Sequence, residues 1–222
     1  GRKLPVRLVK GAYWDTEVKR AQEQGLPAYP LFTRKVSTDV SYLACARYLL
    51  SRRDRFYPQF ATHNAHTLAA ISVMAGNDRS FEFQRLHGMG QALYEQVVGA
   101  SKMNQPCRVY APVGSHEDLL AYLVRRLLEN GANTSFVNRL ADDEAPIADI
   151  IADPVVEVDK LAEVPHPRIP LPANIFNGRR NSAGHAMWDD ATRAYLTGGI
   201  TQALATPFQA SAIVDGRSGT SG

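Results

Sequence analysis

At its centre the chain reads Phe56-Tyr57-Pro58-Gln59-Phe60-Ala61-Thr62-His63-Asn64, which predicts a buried strand that ends in three polar residues. A helix is predicted directly after it, over residues 65–75. A strand that leads straight into a helix is the repeating unit of parallel α/β folds. Further units of this kind lie on both sides of the central one.

The strand–helix unit recurs along the first 130 residues. Strands are predicted at residues 6–9, 56–61, 81–86 and 107–110, and helices at 15–25, 35–50, 65–75, 91–98 and 117–130. Asp15 and Ser115 are predicted N-caps, and Gly25 and Gly131 are predicted to end their helices. This order predicts a parallel sheet, either half of a (β/α)₈ barrel or a small doubly wound sheet.

Polar side chains cluster where the predicted strands end, which favours the barrel. They are Lys10, Thr62-His63-Asn64, Gln84, His87 and Tyr110. The carboxyl ends of the strands form the catalytic face of such barrels. A half barrel cannot close on itself, so we expect the missing strands elsewhere in a longer protein from which this chain is a segment.

The composition allows a large core but does not name a function. Of the 222 residues, 45% are hydrophobic and 21% are charged. A net charge of +3 without a dense Lys/Arg run gives no reason to expect nucleic-acid binding. No apolar run approaches the roughly 20 residues of a membrane span. Cys45 and Cys107 lie in apolar stretches and are expected to be reduced core residues.

The character of the chain changes after Asn138. Residues 142–163 are acidic and weakly helical, and Pro165–Pro172 predicts an extended, polyproline-like connector. Residues 173–187 are polar and irregular, and one more helix is predicted at about 188–205. The chain then ends in turn residues, with no closing element expected.

Two strand ends carry candidate chemistry. Lys10 is a candidate Schiff-base nucleophile or cofactor-anion ligand, and the alternative is a lysine that reaches solvent from the barrel rim. Thr62-His63-Asn64, followed by His66, could hydrogen-bond a polar ring system or simply cap a helix. A metal site is a weak interpretation, because no third ligand stands at suitable spacing. We expect no metal.

A third candidate is the helix start at Thr33-Arg34-Lys35. A helix N-terminus with these side chains suits a phosphate, although a solvated helix start is the commoner meaning. Neither a GxGxxG motif nor a P-loop is present, so a nucleotide would be bound in another way.

The last predicted helix carries an arginine doublet, Arg125-Arg126. At about 100° per residue, Tyr122, Glu129 and the two arginines share one side, and the leucines and valine share the other. Such a stripe could clamp a small carboxylate bidentately. It could equally be a solvated helix face with an Arg125–Glu129 pair.

Several of these stretches together resemble the proline dehydrogenases, and among them the bifunctional proline utilization A enzymes of bacteria. The stretches that carry the resemblance are residues 6–15, 57–66, 83–90, 108–114 and 122–138. They include Val9-Lys10-Gly11-Ala12-Tyr13-Trp14 and Tyr122-Leu123-Val124-Arg125-Arg126. The resemblance covers roughly residues 1–170, and matches of this length are highly specific.

The resemblance implies the second half of a distorted (β/α)₈ TIM barrel that binds FAD. Its last helix would lie over the strand ends, with its arginine side toward the flavin and its apolar side packed against the rest of the chain. Residues 1–140 would form that half barrel, and residues 141–187 an acidic and then proline-rich linker. Residues 188–222 would begin the aldehyde dehydrogenase half, which uses NAD. A lysine and an aspartate that the family carries on earlier strands have no counterpart here, so we expect this segment to be inactive alone.

The resemblance also implies roles for particular residues. Arg125 and Arg126 would clamp the proline carboxylate, and Tyr110 and Tyr13 would pack around the proline ring. Arg126 and Tyr13 would also contact the flavin. The rest of the implied cofactor shell is Arg7, Val9, Lys10, Gly11, Ala12, Trp14, Thr33, Arg34, Lys35, Thr62, His63, Asn64, Gln84, Leu86, Glu129, Ser135 and Phe136.

The implied reaction is oxidation of L-proline to Δ1-pyrroline-5-carboxylate by hydride transfer to flavin N5. Electrons would pass to a membrane quinone, and the downstream half would make L-glutamate with NAD. The implied location is the cytoplasm, with peripheral attachment to the inner membrane as a further option, and an oligomer is compatible. The competing interpretations are a non-catalytic barrel fragment or scaffold, and a Schiff-base lyase that uses Lys10.

Overall fold

The computed structural model describes residues 2–11, 13–131, 152–207, 211 and 213–218, and for residues 127–131, 214, 217 and 218 only the backbone. The chain divides into two compact units, residues 1–19 with 29–170 and residues 20–28 with 171–222. The helices and strands of the first part are β1 (Leu4–Leu8), α1 (Trp14–Glu23), α2 (Lys35–Ser51), β2 (Phe56–Ala61), α3 (Ala65–Ala75), β3 (Glu82–Leu86), α4 (Gln91–Glu95), β4 (Cys107–Tyr110), α5 (His116–Gly131) and α6 (Pro154–Asp159).

The first unit is built on a four-stranded parallel sheet in the order β1-β2-β3-β4. Each strand pairs with the next one in sequence, as in successive strand–helix units of a barrel. The register places Arg7 beside Gln59, Gln59 beside Glu82, and Gln84 beside Arg108. The predicted parallel α/β fold is confirmed.

One face of the sheet is apolar and packs against the helices. Its centre is the aromatic cluster Phe60, Phe81, Phe83 and Tyr94, whose ring centroids lie 5.4–6.4 Å apart. Buried residues of α2 and α3 complete this core, among them Ala46, Leu49, Leu68 and Ile71. Alternate residues of a strand point to opposite faces, so burying these aromatics leaves their polar neighbours on the other face.

The opposite face of the sheet is polar, and we call it the polar face. It carries Arg7, Tyr57, Gln59, Glu82, Gln84 and Arg108, which are linked by hydrogen bonds through Glu82 and Gln84. Its centre at β3 is buried, since Glu82 and Gln84 are each 4% exposed. Its edges on β1 and β4 are open, with Arg7 and Arg108 exposed.

The α5 helix turns its arginine side inward. Tyr122, Arg125 and Arg126 are half-buried, whereas Leu120, Leu123 and Val124 are exposed. Our expectation that the apolar side would pack against the rest of the chain is therefore wrong for these described residues. The solvated-face interpretation of the arginine doublet does not fit this placement.

The second unit contains a 3₁₀ helix (Pro172–Asn174), α7 (Asp190–Leu204) and a hairpin of β5 (Ile213–Val214) with β6 (Arg217–Ser218). The helix predicted at 188–205 is thus confirmed. The hairpin was not expected. Its turn residues Asp215 and Gly216 both have positive φ, as a type I′ hairpin turn requires.

Gly25 lies against Gly184, and the amide of Gly184 donates to the carbonyl oxygen of Gly25 at 2.9 Å. A side chain on either glycine would collide with the facing backbone.

Three local predictions are wrong. The α4 helix ends at Glu95 rather than near residue 98, since the following residues form turns. Asp15 lies inside the first turn of α1, which begins at Trp14. Cys45 is exposed and Cys107 half-buried, so neither is a fully buried core residue, although both are free thiols. In the described part of the chain, no helix is long and apolar enough to cross a membrane.

Candidate functional site

The carboxyl ends of β1 to β4 meet at one edge of the sheet and bring several predicted residues together. The hydroxyl of Tyr94, on α4, donates to the backbone oxygens of Thr62 and Gln84, at 2.7 and 3.3 Å. The guanidinium of Arg7 lies 4.9 Å from the ring centre of Tyr110 on β4. Residues from β1, β2, β3 and β4 therefore share this edge, as the barrel prediction requires.

Glu82 is the acceptor at the centre of the polar face. Its carboxylate accepts both Nε and a terminal nitrogen of Arg108, at 2.7 and 2.9 Å. The side-chain amides of Gln59 and Gln84 donate to it at 2.9 and 2.8 Å, and the Tyr57 hydroxyl at 3.4 Å. The hydrogen bonds from Arg108 lead the causes that hold the pKa of this carboxyl below its ordinary value, and they outweigh its burial.

Lys10 is held between two helices rather than reaching solvent. Its ammonium donates to Asp39 of α2 at 2.6 Å and to the Thr67 hydroxyl of α3 at 3.0 Å. Asp39 also binds Lys35 at 2.7 Å. Burial lowers the pKa of Lys10 despite the Asp39 charge, while the two ammonium groups outweigh burial and lower the pKa of Asp39.

The three residues Thr62, His63 and Asn64 make different contacts. The Asn64 side chain caps α3 by accepting the Thr67 amide at 3.0 Å, and the Thr62 hydroxyl accepts the Asn64 amide at 3.1 Å. The capping interpretation is therefore confirmed for Asn64, whereas Thr62 stabilises the turn that precedes the helix. His63 Nε2 instead accepts the Leu86 amide at 3.1 Å.

The environment of His63 favours the neutral imidazole. Burial lowers its pKa first, and the positive charges of Arg85 and Arg126 lower that pKa further. Gly90 leaves room for the ring, because a Cβ there would lie 3.2 Å from a ring carbon of His63. A neutral ring with Nε2 as acceptor carries its proton on Nδ1, which can donate to a ligand.

The arginine doublet lies over this edge of the sheet. Arg125 stacks on the Tyr13 ring at 4.7 Å and donates to the Tyr13 hydroxyl at 3.2 Å. Arg126 stacks on Tyr122 at 5.0 Å, and its charge acts on His63. Within the described residues, the buried Nε of Arg125 has no hydrogen-bond partner. A buried guanidinium N–H without a protein acceptor is suited to a ligand anion.

The predicted phosphate segment is already engaged by the chain itself. The Thr33 hydroxyl accepts the His166 amide at 2.8 Å, and Arg34 Nε donates to the carbonyl oxygens of Val164 and Pro165 at 3.2 and 3.3 Å. Lys35 binds Asp39. The proline-rich segment therefore lies against the start of α2, and a phosphate at this position remains a prediction.

A cleft of about 340 Å³ opens beside β1, between the start of α1 and α2. Of the predicted cofactor residues, Val9, Lys10, Gly11, Tyr13 and Trp14 line it, together with Phe32, Tyr42 and others. The Trp14 indole is anchored by its N–H to the Phe32 carbonyl at 2.9 Å. Gly11 has a φ of +92° and no atom near its missing Cβ, so this loop lies open to a ligand.

The remaining predicted site residues are placed as follows. The Leu86 amide faces His63, and Leu86 itself is buried. Ala12, Ser135, Phe136 and the side chain of Glu129 lie outside the described residues. In the described part of the chain, no cluster of His, Cys, Asp and Glu could hold a metal ion.

Sequence reasoning missed the acceptor Glu82 and the donors around it, which together organise the polar face. Glu82, Gln59 and Arg108 were not singled out, although polar residues at alternate positions of neighbouring strands indicate a shared face. Asp39 was also missed, although it stands one helical turn after Lys35, where side chains meet.

Comparison with known proteins identifies relatives along nearly the whole chain. The family model described as proline dehydrogenase matches residues 1–139. The bifunctional protein PutA of Klebsiella aerogenes is 58% identical over 222 residues, covering 94% of this chain and 17% of the relative. That of Escherichia coli K12 is 57% identical, with the same coverage of both chains.

Solved structures agree with these matches. A variant of proline utilization A from Bradyrhizobium japonicum superposes with a TM-score of 0.81 and 54% identity, covering 95% of this chain and 21% of that one. The chain therefore spans about a fifth or less of the length of these relatives.

Proposed function

The chain belongs to the proline dehydrogenase family, and we propose that it supplies part of the active site in which a longer protein oxidises L-proline to Δ1-pyrroline-5-carboxylate with FAD. The observation that carries the proposal is the inward-facing arginine doublet. Arg125 and Arg126 are half-buried, stacked on aromatic rings and close to the strand ends. Two such guanidinium groups match a small carboxylate.

The substrate would lie between the arginines and the tyrosines. Arg125 and Arg126 bind the proline carboxylate. The buried Nε of Arg125 has no acceptor among the described residues, and the carboxylate would provide one. Tyr13 is oriented by Arg125, and Tyr110 by the Arg7 guanidinium above its ring. The two phenol rings would enclose the apolar pyrrolidine ring and exclude water from its C5 atom.

The donor set suits an anionic, aromatic cofactor. Arg7 and Lys10 place two positive charges near the strand ends, His63 offers a neutral ring, and the Val9–Gly11 loop is open. Of the remaining proposed contacts, Trp14, Gln84, Leu86, Thr62 and Asn64 surround this edge, and Arg34 and Lys35 stand at the start of α2 for the phosphates.

The chemistry divides between cofactor and chain. FAD would supply the two-electron oxidant and take a hydride from proline C5 at flavin N5, while the amine proton is released and the C5–N double bond forms. The chain would orient the proline ring, and the positive charge of Arg7 and Lys10 would favour negative charge on the bound cofactor. We further propose that electrons pass to a membrane quinone, and that a downstream NAD-dependent domain converts the product to L-glutamate.

The test uses the full-length protein. Proline added without oxygen should bleach the yellow flavin absorbance, and a protein that shows no bleaching would refute the proposal. Arg126→Ala should raise KM for proline steeply, since losing a bidentate charged contact costs about 2–5 kcal/mol. Arg55→Ala is the matched control, because the Arg55 side chain is 74% exposed and forms a surface ion pair with its neighbour Asp54. An unchanged KM in Arg126→Ala would make that arginine structural.

Lys10 carries a second candidate function, a Schiff-base lyase. It lines the cleft, and burial lowers its pKa toward the nucleophilic amine. Its ion pair with Asp39 opposes this role, because it stabilises the ammonium form. Borohydride reduction with a carbonyl substrate should leave no adduct on Lys10. If the isolated 222-residue chain folds without binding flavin, the fragment by itself is a scaffold.

A further inference from the structure

We propose that Glu82 is a positioning residue: it orients the side-chain amide of Gln84, which in turn holds the guanidinium of Arg7 at the strand ends. The proposal rests on the proposed function only where it concerns the flavin. The chain of contacts itself runs from Glu82 to Gln84 at 2.8 Å and from Gln84 to Arg7 at 2.8 Å.

Gln84 stands between a group that can only accept and a group that can only donate. Glu82 is ionised and accepts, whereas the Nε of Arg7 donates. Only one of the two amide orientations satisfies both neighbours, with the nitrogen toward Glu82 and the oxygen toward Arg7. Because the Gln84 side chain is buried, water cannot readily replace either partner.

Glu82 is itself firmly held. Besides Gln84, it accepts hydrogen bonds from Tyr57, from Gln59, and from Nε and a terminal nitrogen of Arg108. These donors therefore hold the Glu82 carboxylate in place independently of Gln84. Arg7 is exposed and carries the long, flexible side chain, so it is the member of the chain of contacts that needs positioning.

The consequence concerns the place where cofactor and substrate would meet. Arg7 contacts Gln84 on one side and the Tyr110 ring on the other. A flipped Gln84 amide would present N–H groups to the Arg7 Nε and drive the guanidinium away. Misplacing a charge near the reacting atoms by about 1 Å can cost on the order of a hundredfold in rate.

The first test is Glu82→Met in the full-length protein, which keeps the length of the side chain and removes both acceptors. A crystal structure should show Arg7 displaced from Gln84. In kinetics, kcat for proline should fall about tenfold or more while KM changes little, because the clamping arginines lie elsewhere. Relative to Glu82→Gln, which removes the same negative charge but keeps an acceptor for Gln84, the flavin reduction potential should be more negative, since the positive charge of Arg7 moves away from the flavin.

Two rescues separate orientation from a general structural role. Glu82→Gln keeps an acceptor for Gln84, because its carbonyl oxygen is best placed where three donors converge, so Arg7 should stay in position. In the double variant Glu82→Met with Gln84→Glu, a symmetric carboxylate at position 84 needs no orienting partner and should also restore Arg7. A merely structural Glu82 would not be rescued by the second change.

The matched control is Arg108→Met. It removes the residue that donates two hydrogen bonds to Glu82 but leaves the contacts of Gln84 intact. It should not move Arg7. An Arg7 that keeps its place in Glu82→Met, or moves equally in Arg108→Met, overturns the proposal. If Glu82→Met alone does not fold, the double variant Glu82→Met with Gln84→Glu tests the proposal instead. An Arg7 displaced in the double variant also overturns the proposal. The crystal structures report on Arg7 even if proline fails to reduce the flavin, so failure of the proposed function is recognised separately.

Discussion

The two faces of the parallel sheet are stabilised in opposite ways. The helix-facing side is closed by Phe60, Phe81 and Phe83, which are fully buried and meet edge to face or tilted. The polar face is stabilised at its centre by one carboxylate, Glu82, which accepts hydrogen bonds from four side chains. Apolar packing tolerates many arrangements, whereas a buried polar network works only if each donor finds its acceptor.

This difference explains where each face can carry function. The rings of the apolar face pack on one another and hold no charged group, so that face positions the strands but not a guanidinium. The polar face gives direction, because Gln84 has a single satisfactory orientation between Glu82 and Arg7. The same specificity makes the polar face sensitive to changes that leave size and shape almost unaltered.

The largest expected effect is on the apolar face. Phe81→Ala should lower the free energy of unfolding by about 3–5 kcal/mol, since it leaves a cavity between two rings and the helices. Urea denaturation of the full-length protein, followed by fluorescence, measures it. Val73→Ala is the control, because Val73 is 82% exposed, and it should change stability by less than about 0.5 kcal/mol. Equal effects would mean that the aromatic cluster is not the core.

The fold was predictable because strand alternation and helix periodicity are local signals. The bounds of α3 and β2 agree with the sequence pattern to the residue, and the Asn64 cap lies where a cap was considered. The inward turn of α5 was not predictable from its pattern, because its exposed leucines read as a buried side. Glu82 escaped because its partners come from other strands, which a linear pattern does not bring together. The Lys10–Asp39 pair escaped for the same reason, whereas the Lys35–Asp39 pair lies within α2 and was visible in the helical spacing.

The next effect, on the polar face, should be smaller. Glu82→Met should cost about 1–3 kcal/mol, because the buried amide of Gln84 loses its acceptor. Glu82→Gln should retain most of the stability, since it keeps one acceptor oxygen at the same place. The comparison of the two denaturation midpoints decides the point. A Glu82→Met protein as stable as the wild type would show that the polar face contributes no net stability.

The cap of α3, which directly follows the end of β2, should contribute about 1 kcal/mol to the free energy of unfolding. Asn64→Ala removes the acceptor for the Thr67 amide at the start of α3 and should destabilise by that amount. Asn64→Asp is the control, because aspartate is an equally good N-cap. Should Asn64→Ala be neutral while flavin affinity falls, Asn64 would act on the cofactor rather than on the helix.

The smallest effect is a pH dependence confined to the polar face. The pKa of Glu82 lies below its ordinary value of 4.5, chiefly because of the hydrogen bonds from Arg108, so the folded state binds this proton less readily than the unfolded chain. Its contribution to stability is therefore complete above that ordinary value and declines as the pH falls toward the folded pKa. The loss is partial, because a protonated carboxyl keeps one good acceptor oxygen. Wild type should thus lose more stability than Glu82→Gln as the pH falls below about 5 toward the folded pKa of Glu82, whereas Phe81→Ala should lose as much as wild type. Parallel pH profiles for wild type and Glu82→Gln would mean that the charge of Glu82 does not stabilise this face, and that only the position of its oxygen atoms matters.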